Sequence, residues 1–308
     1  MKTQFYPLNL SGSETRNSND APATLPFDQL VAMRNPAGEA PLFCLHQSGG
    51  DVGIYRKLTT KLDRSRAIWG IQSRLQCGAD NEFASLEEMA EEYTRMVVSQ
   101  NPTGSIRLLG FSLGGFLASL MARNLHQSGR HVSFLGMIDS NPNWTTAAET
   151  SRRELRIRLT QVFTQFQKIG LLCEKPIENV QADVEILVAK FFQMEPVSAH
   201  EVLANVKSMG YLPDRQSDKI LLNFSHAFLV HIQLLNDFKV PKIEVPLHLW
   251  WPSETEEENQ RGATMWSEQA VAGVTQSMIS GSHYSMMRGP SVRTLAAEVE
   301  TAIAQGEL

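Results

Sequence analysis

The stretch Leu108-Leu-Gly-Phe-Ser-Leu-Gly-Gly115 constrains this chain more than any other. Ile106–Leu109 has the length and apolar character of a short buried strand, and Phe116–Leu125 carries a helix pattern. Gly110-Phe111-Ser112-Leu113-Gly114 joins the two as a G-x-S-x-G turn. In that strand–turn–helix setting the glycines let the backbone reverse sharply and push the serine out at the strand tip. The helix that begins there directs its unpaired N–H groups and the positive end of its dipole at the same point. A serine so placed can act as a nucleophile, and an oxyanion formed beside it can be stabilised. A bare G-x-S-x-G also recurs by chance as an ordinary Gly-rich turn. The rest of the chain must therefore supply an acid and a histidine.

The segments before and after the motif alternate between strand and helix. Leu30–Met33 precedes a turn at Asn35–Gly38, and Pro41–His46 is a continuous apolar run of strand length. It leads into Gln47-Ser48-Gly49-Gly50, either a plain turn or a loop whose backbone N–H groups face a reacting oxygen. Tyr55–Leu62 reads as a short helix and Ala67–Ile71 as a strand. Ser85 and Glu88 form a capping box that opens a helix with an apolar stripe at positions 86, 89, 93, 96 and 97. Asn101–Gly104 stops it. After the helix that follows Ser112 comes another buried strand, Val132–Ile138. The order βα, βα, βα, β predicts an α/β fold, a mostly parallel doubly wound sheet with right-handed crossovers. Asp139 follows that last strand. The C-terminal ends of parallel strands form the ligand-binding edge of such a sheet. Asp139 is thus a candidate acid, or a turn residue before Asn141-Pro142.

From Trp144 to about Phe238 the pattern is helical throughout, with segments at 151–166, 178–192, 198–209 and 217–238. Such a length between two strands is no ordinary connection. It predicts a helical lid inserted over the sheet edge at about 144–240, with a separately packed helical unit as the alternative. His226 and His231 on the last of these helices read as surface or packing residues. The sheet resumes at Val245–Trp251, followed by Glu254, a rival acid, and by Glu256–Glu258, expected to be a solvated loop. Val274–Ile279 is the expected final strand. His283 follows it in a Gly-containing loop, and Val292–Ala304 is the closing helix. The polar residues 1–25 read as a flexible leader to an α/β domain over 26–308.

Ser112, Asp139 and His283 stand in the order Ser…Asp…His, the order of an α/β-hydrolase. Ser112 would attack a carbonyl, His283 would take its proton, and Asp139 would orient the imidazole. The backbone N–H of Leu113 is the first expected oxyanion donor, and that of Ser48 or a loop neighbour the second. A formal charge of −5 and the lack of a Lys/Arg block argue against a nucleic-acid partner. No long apolar run points to a membrane. The scattered Cys44, Cys77 and Cys173 fit a reducing cytoplasm, and no metal-ligand cluster stands out.

Four segments carry a family resemblance: Pro41–Gly50, Ile68–Arg74, Leu108–Gly115 and Gly281–Met287. They resemble signatures of the type I-like thioesterase domains that end nonribosomal peptide synthetases and polyketide synthases. The resemblance runs from about Leu30 to the C-terminus and is weakest in the lid. It favours Asp139 over Glu254 as the acid. His46-Gln47 departs from the His-Pro often found in the family, which a backbone donor does not need. The resemblance implies an acyl or peptidyl carrier protein as partner, with the acyl chain presented as a thioester on its phosphopantetheine arm. It implies a Ser112 acyl-enzyme, release by hydrolysis or macrocyclisation, and no cofactor or metal bound by the enzyme itself. Alternatives are an editing, type II-like thioesterase using the later acid Glu254, a free-standing serine esterase acting on small esters, or a binding module that kept the fold.

Overall fold

The computed structural model describes residues 27–34, 41–79, 82–142, 218–235 and 237–306. The expected leader and the expected helices at 151–166, 178–192 and 198–209 lie outside the described residues. Among the described residues, seven strands form one sheet: β1 (Leu30–Arg34), β2 (Leu42–Leu45), β3 (Ile68–Ile71), β4 (Ile106–Phe111), β5 (Val132–Ile138), β6 (Leu247–Pro252) and β7 (Val274–Ile279). The described α-helices are α1 (Arg56–Thr59), α2 (Leu86–Gln100), α3 (Leu113–Gln127), α4 (Asp218–Leu235), α5 (Glu256–Gln269) and α6 (Ser291–Gln305). The spatial order is β1-β3-β2-β4-β5-β6-β7, with β1 antiparallel to β3 and every other pair parallel. No described helix is long and apolar enough to cross a membrane.

The strands are apolar almost without interruption because both faces of the sheet are covered. Successive side chains alternate between two cores. Phe43, Leu45, Leu108, Leu135, Met137, Leu247 and Leu249 pack with residues of α2 and α3 on one face. Leu42, Cys44, Leu109, Phe111, Phe134, Ile138 and Trp250 pack with Leu58 of α1 and with Val292, Leu295 and Val299 of α6 on the other. The expected stripe of α2 is buried at Leu86, Met89, Tyr93, Met96 and Val97. Its cap differs in detail from a reciprocal box: Ser85 Oγ accepts from the Glu88 N–H at 3.1 Å, while Glu88 accepts from the Ala84 N–H, one residue before the cap.

Glu256–Glu258 corrects an expectation: this acidic run is the first turn of α5 rather than a loop. Three acidic residues at a helix N-terminus complement its dipole and its unpaired N–H groups, so the charges favour the helix start. Glu256 and Glu257 remain solvent-exposed there.

A single hydroxyl closes the sheet at its functional end. β2 finishes at Leu45, opposite Gly110, so the Phe111 N–H reaches past the end of its neighbour. The fully buried Tyr55 hydroxyl accepts from that N–H at 2.6 Å and donates to the Leu45 carbonyl at 2.7 Å. Tyr55→Phe keeps the ring but leaves a buried N–H unpaired. Urea unfolding should show a loss of about 1–3 kcal/mol. A change inside the error of the wild-type value would mean that the hydroxyl does not hold this strand end.

Candidate active site

Ser112 occupies a backbone conformation that L-residues rarely adopt, with φ 55° and ψ −121°. Such a conformation costs of order 1–3 kcal/mol and persists only where its surroundings over-determine it. Here they do. The Ser112 N–H donates to the Ile138 carbonyl at 2.9 Å, and its own carbonyl accepts from Gly115 N–H at 3.0 Å and Ser140 Oγ at 2.8 Å. The flanking glycines are required by close approach. A Cβ at Gly110 would collide with the Gly114 carbonyl, and one at Gly114 would collide with the Leu45 carbonyl. The start of α3 therefore lies directly against the end of β2, beside the loop that runs through Ser48. Leu113 is the first residue of α3, and first-turn N–H groups have no acceptor within their helix.

Asp139 leaves β5 at φ 43°, a left-handed conformation that aspartate tolerates better than most residues. Its N–H donates to the Trp250 carbonyl at 2.8 Å, and the buried Trp266 indole holds the next carbonyl, that of Ser140, at 2.7 Å. β5 is the hydrogen-bonded neighbour of β4, so Asp139 emerges beside Ser112 at the C-terminal edge of the sheet. His283 follows β7 in a turn held by Ser282 N–H on Ser285 Oγ at 2.7 Å. Its Nδ1 contacts Asp139 Oδ2. A carboxylate accepts, so Nδ1 carries the proton and Nε2 is left for proton transfer. The imidazole stacks on Phe111, the residue before Ser112, with centroids 4.5 Å apart and planes 29° from parallel. Ser112, Asp139 and His283 are all buried. Glu254 is solvent-exposed, and its backbone N–H donates to Gly281 O at 3.2 Å.

A second cluster lies under the Ser48 loop, and sequence reasoning did not assemble it. His46 and His231 are fully buried and stacked, with centroids 4.9 Å apart. His46 Nδ1 bonds the Gln47 carbonyl at 2.8 Å and its Nε2 meets Tyr93 Oη at 2.9 Å. His231 Nδ1 bonds the Ser48 carbonyl at 2.8 Å and its Nε2 meets Glu82 Oε2 at 2.9 Å. The one local signal is that His231 shares the buried face of α4 with Ala227, Phe228, Ile232 and Leu235. Burial, reinforced by the charge His231 carries when protonated, pushes His46 down to about 3, so its imidazole is neutral. Burial would raise the Glu82 carboxyl. The hydrogen bond and charge of His231 and the hydroxyl of Ser73 outweigh it and hold the carboxyl below its ordinary value.

A model of the thioesterase domain family matches residues 40–302. The chain belongs to the thioesterase domain family. Among its relatives is a dimodular nonribosomal peptide synthase of Bacillus subtilis (strain 168), 35% identical over 161 residues, which are 52% of this chain and 7% of that protein. Enterobactin synthase component F of Escherichia coli (strain K12) is 35% identical over 129 residues, 41% of this chain and 10% of that protein. The chain thus spans a small fraction of the length of the synthetases it matches. The NocB thioesterase domain, solved as a covalent complex with a fluorophosphonate nocardicin G analog, superposes with a TM-score of 0.63 at 20% identity. That match covers 89% of this chain and 99% of that one. The four-domain nonribosomal peptide synthetase holo-AB3403 gives a TM-score of 0.69 at 22% identity, over 89% of this chain and 20% of that one. These likenesses show the α/β-hydrolase fold. The thioesterase domain is homologous to those of nonribosomal peptide synthetases.

The buried histidine has a thermodynamic consequence. His46 takes up its proton near pH 6.5 when unfolded and near 3 in the fold. Between those values the unfolded chain binds more protons, so stability falls as pH drops through this window. Glu82 adds to the loss below its unfolded value of about 4.5, because its folded carboxyl is depressed. His46→Asn should reduce the slope of unfolding free energy against pH between about 6 and 4 by up to one proton, read from urea unfolding at a series of pH values. A slope unchanged from wild type would show that His46 is protonated in the fold.

Proposed function

We propose that this thioesterase domain releases an acyl, peptidyl or polyketide chain from a carrier protein through a covalent Ser112 acyl-enzyme. The observation that carries the proposal is the Asp139–His283 contact at the sheet edge where Ser112 is held in its strained turn. The family supplies the bond that is broken, a thioester.

Ser112 Oγ attacks the thioester carbonyl as its proton passes to His283 Nε2. The carbonyl oxygen becomes an oxyanion that accepts from the Leu113 and Ser48 N–H groups. Collapse breaks the C–S bond, and His283 returns the proton to the departing thiolate of the carrier's phosphopantetheine arm. The acyl group is now an ester on Ser112. Water, or an amine or hydroxyl of the chain itself, then attacks with His283 again taking the proton. The second collapse releases an acid or a ring and restores the Ser112 hydroxyl. Asp139 stabilises the imidazolium formed in each half without itself being protonated. Every bond and proton is handled by serine, histidine and aspartate, so the chemistry calls for no resident cofactor or metal, and the arm enters with the substrate. Exclusion of water from this chamber would decide between acid and ring. A cytoplasmic setting agrees with Cys44 and Cys77, both free thiols.

Incubation with a short acyl thioester should give an acyl adduct by intact mass that Ser112→Ala abolishes. Asp139→Asn should lower turnover by about 10²–10⁴-fold, since the imidazole loses its tautomer and its counter-charge. Glu254→Gln should leave turnover unchanged. The opposite pattern for the two acids would assign the orienting role to Glu254 and favour an editing enzyme.

The same acyl group offered on a phosphopantetheinylated carrier protein and as a simple oxygen ester separates a carrier-linked enzyme from a general esterase. A higher kcat/KM on the carrier is expected. Equal values would overturn the carrier as partner.

A further inference from the structure

We propose that His231 is a positioning residue that ties helix α4 to the oxyanion loop, holding the Ser48–Gly49 peptide in its working orientation. This rests on the Ser48 donor assigned above and adds the device that holds the next peptide of the same loop, the one that carries the Gly49 N–H.

All four carbonyls of the loop are tied down. Gln47 O accepts from His46 Nδ1 at 2.8 Å and from the Gly50 N–H at 2.8 Å. Ser48 O accepts from His231 Nδ1 at 2.8 Å. Gly49 O accepts from Gln76 Nε2 at 2.8 Å, and Gly50 O from the Ser73 N–H at 2.9 Å. The described peptide bonds are trans, and in a trans peptide the carbonyl and the next N–H point in opposite directions. Fixing the Gln47 carbonyl therefore fixes the Ser48 N–H, and fixing the Ser48 carbonyl fixes the Gly49 N–H. Both donors then face away from the stacked imidazoles. An oxyanion hole needs this kind of rigidity, because a donor that must reorient during the reaction gives back part of its stabilisation.

His231 differs from the other anchors in where it comes from. His46, Gly50, Ser73 and Gln76 lie in the sheet-edge loops, whereas His231 lies on α4, 183 residues along the chain from Ser48. The imidazole is itself braced at Nε2 and on one face. Glu82 holds Nε2, Ser73 Oγ holds Glu82, and the His46 ring covers one face. α4 also packs closely on the loop, since a side chain at Gly50 would press on Ala227. The Ser48 carbonyl can therefore keep its anchor only while α4 is seated. Helix α4 and the loop that carries the donors are joined through one ring.

Two variants separate orientation from packing. His231→Leu removes the donor to Ser48, whereas His231→Asn keeps an N–H near the Nδ1 position and loses the Glu82 contact. Acylation by a short thioester, followed by intact mass on a rapid-quench timescale, should slow by about 10²-fold in His231→Leu, with the effect in kcat rather than KM. His231→Asn should recover at least about ten-fold of that loss. Amide hydrogen exchange over 47–50 should rise in His231→Leu and fall back in His231→Asn, while exchange in α2 stays constant. Wild-type exchange over 47–50 in folded His231→Leu would overturn the proposal. So would equal losses in the two variants that simply follow their thermal midpoints. A protected wild-type loop that responds as described, in a protein forming no Ser112 adduct, would instead overturn the acyl-enzyme mechanism and leave the positioning role standing.

Discussion

The structure depends on how closely the start of α3 approaches the ends of β2 and β4. Glycine at 110 and 114 lets the helix begin one residue after the strand ends, with no Cβ between its backbone and the Leu45 carbonyl. That contact forces Ser112 into its unfavourable φ and ψ. The cost, of order 1–3 kcal/mol, is small beside the burial that imposes it. Nearly every apolar residue of α3 is buried, and a fully buried leucine or phenylalanine side chain contributes about 1.5–3 kcal/mol. The helix cannot move away from the sheet to relax one serine without giving up several such side chains. Strain at Ser112 is stable because it is local while the packing that opposes its release is distributed.

Parallel pairing then decides where the other groups emerge. In a parallel sheet every C-terminal strand end lies on one edge, so residues far apart in sequence meet there without special loops. β4 delivers Ser112, its neighbour β5 delivers Asp139, and the loop after β7 delivers His283. The Tyr55 hydroxyl and the Trp266 indole serve the same edge, each satisfying a backbone group that the sheet leaves over where pairing ends. Both are bulky side chains with one polar atom, which lets them fill core volume and still terminate a hydrogen-bond ladder.

The legible part of this molecule is the part whose signal is local. Apolar runs of four to seven residues marked β2 to β6 because strands covered on both faces need no polar positions. Ser85 and Glu88 marked the start of α2, and G-x-S-x-G marked the turn at Ser112. Strand ends marked Asp139 and His283, but the sequence left Asp139 and Glu254 as rivals. The family resemblance favoured Asp139, and the contact at His283 Nδ1 is made by that residue. Glu256–Glu258 misled because charge density resembles a solvated loop unless its position at a helix start is known. His231 gave no sign of its partners, since a histidine on an apolar helix face reads the same whether it packs or bonds. Glu82, Ser48 and His46 meet it through tertiary contacts alone.

The two buried imidazole–carboxylate pairs among the described residues show how the same groups can serve opposite ends. At His283 the carboxylate takes Nδ1 and leaves Nε2 for the proton transfer proposed above. At His231 both nitrogens are occupied, one by a carbonyl and one by Glu82. A proton moving there would break a bond on which the loop depends. Burial reinforces the difference, since the neighbouring His46 is held neutral down to about pH 3 and does not follow the pH range in which a catalytic histidine must work. A base requires one open nitrogen and access to the reacting group, whereas a strut requires neither. With the two pairs on separate elements, one after β7 and one on α4, the first could change charge in the proposed reaction while the second keeps the Ser48 carbonyl in place.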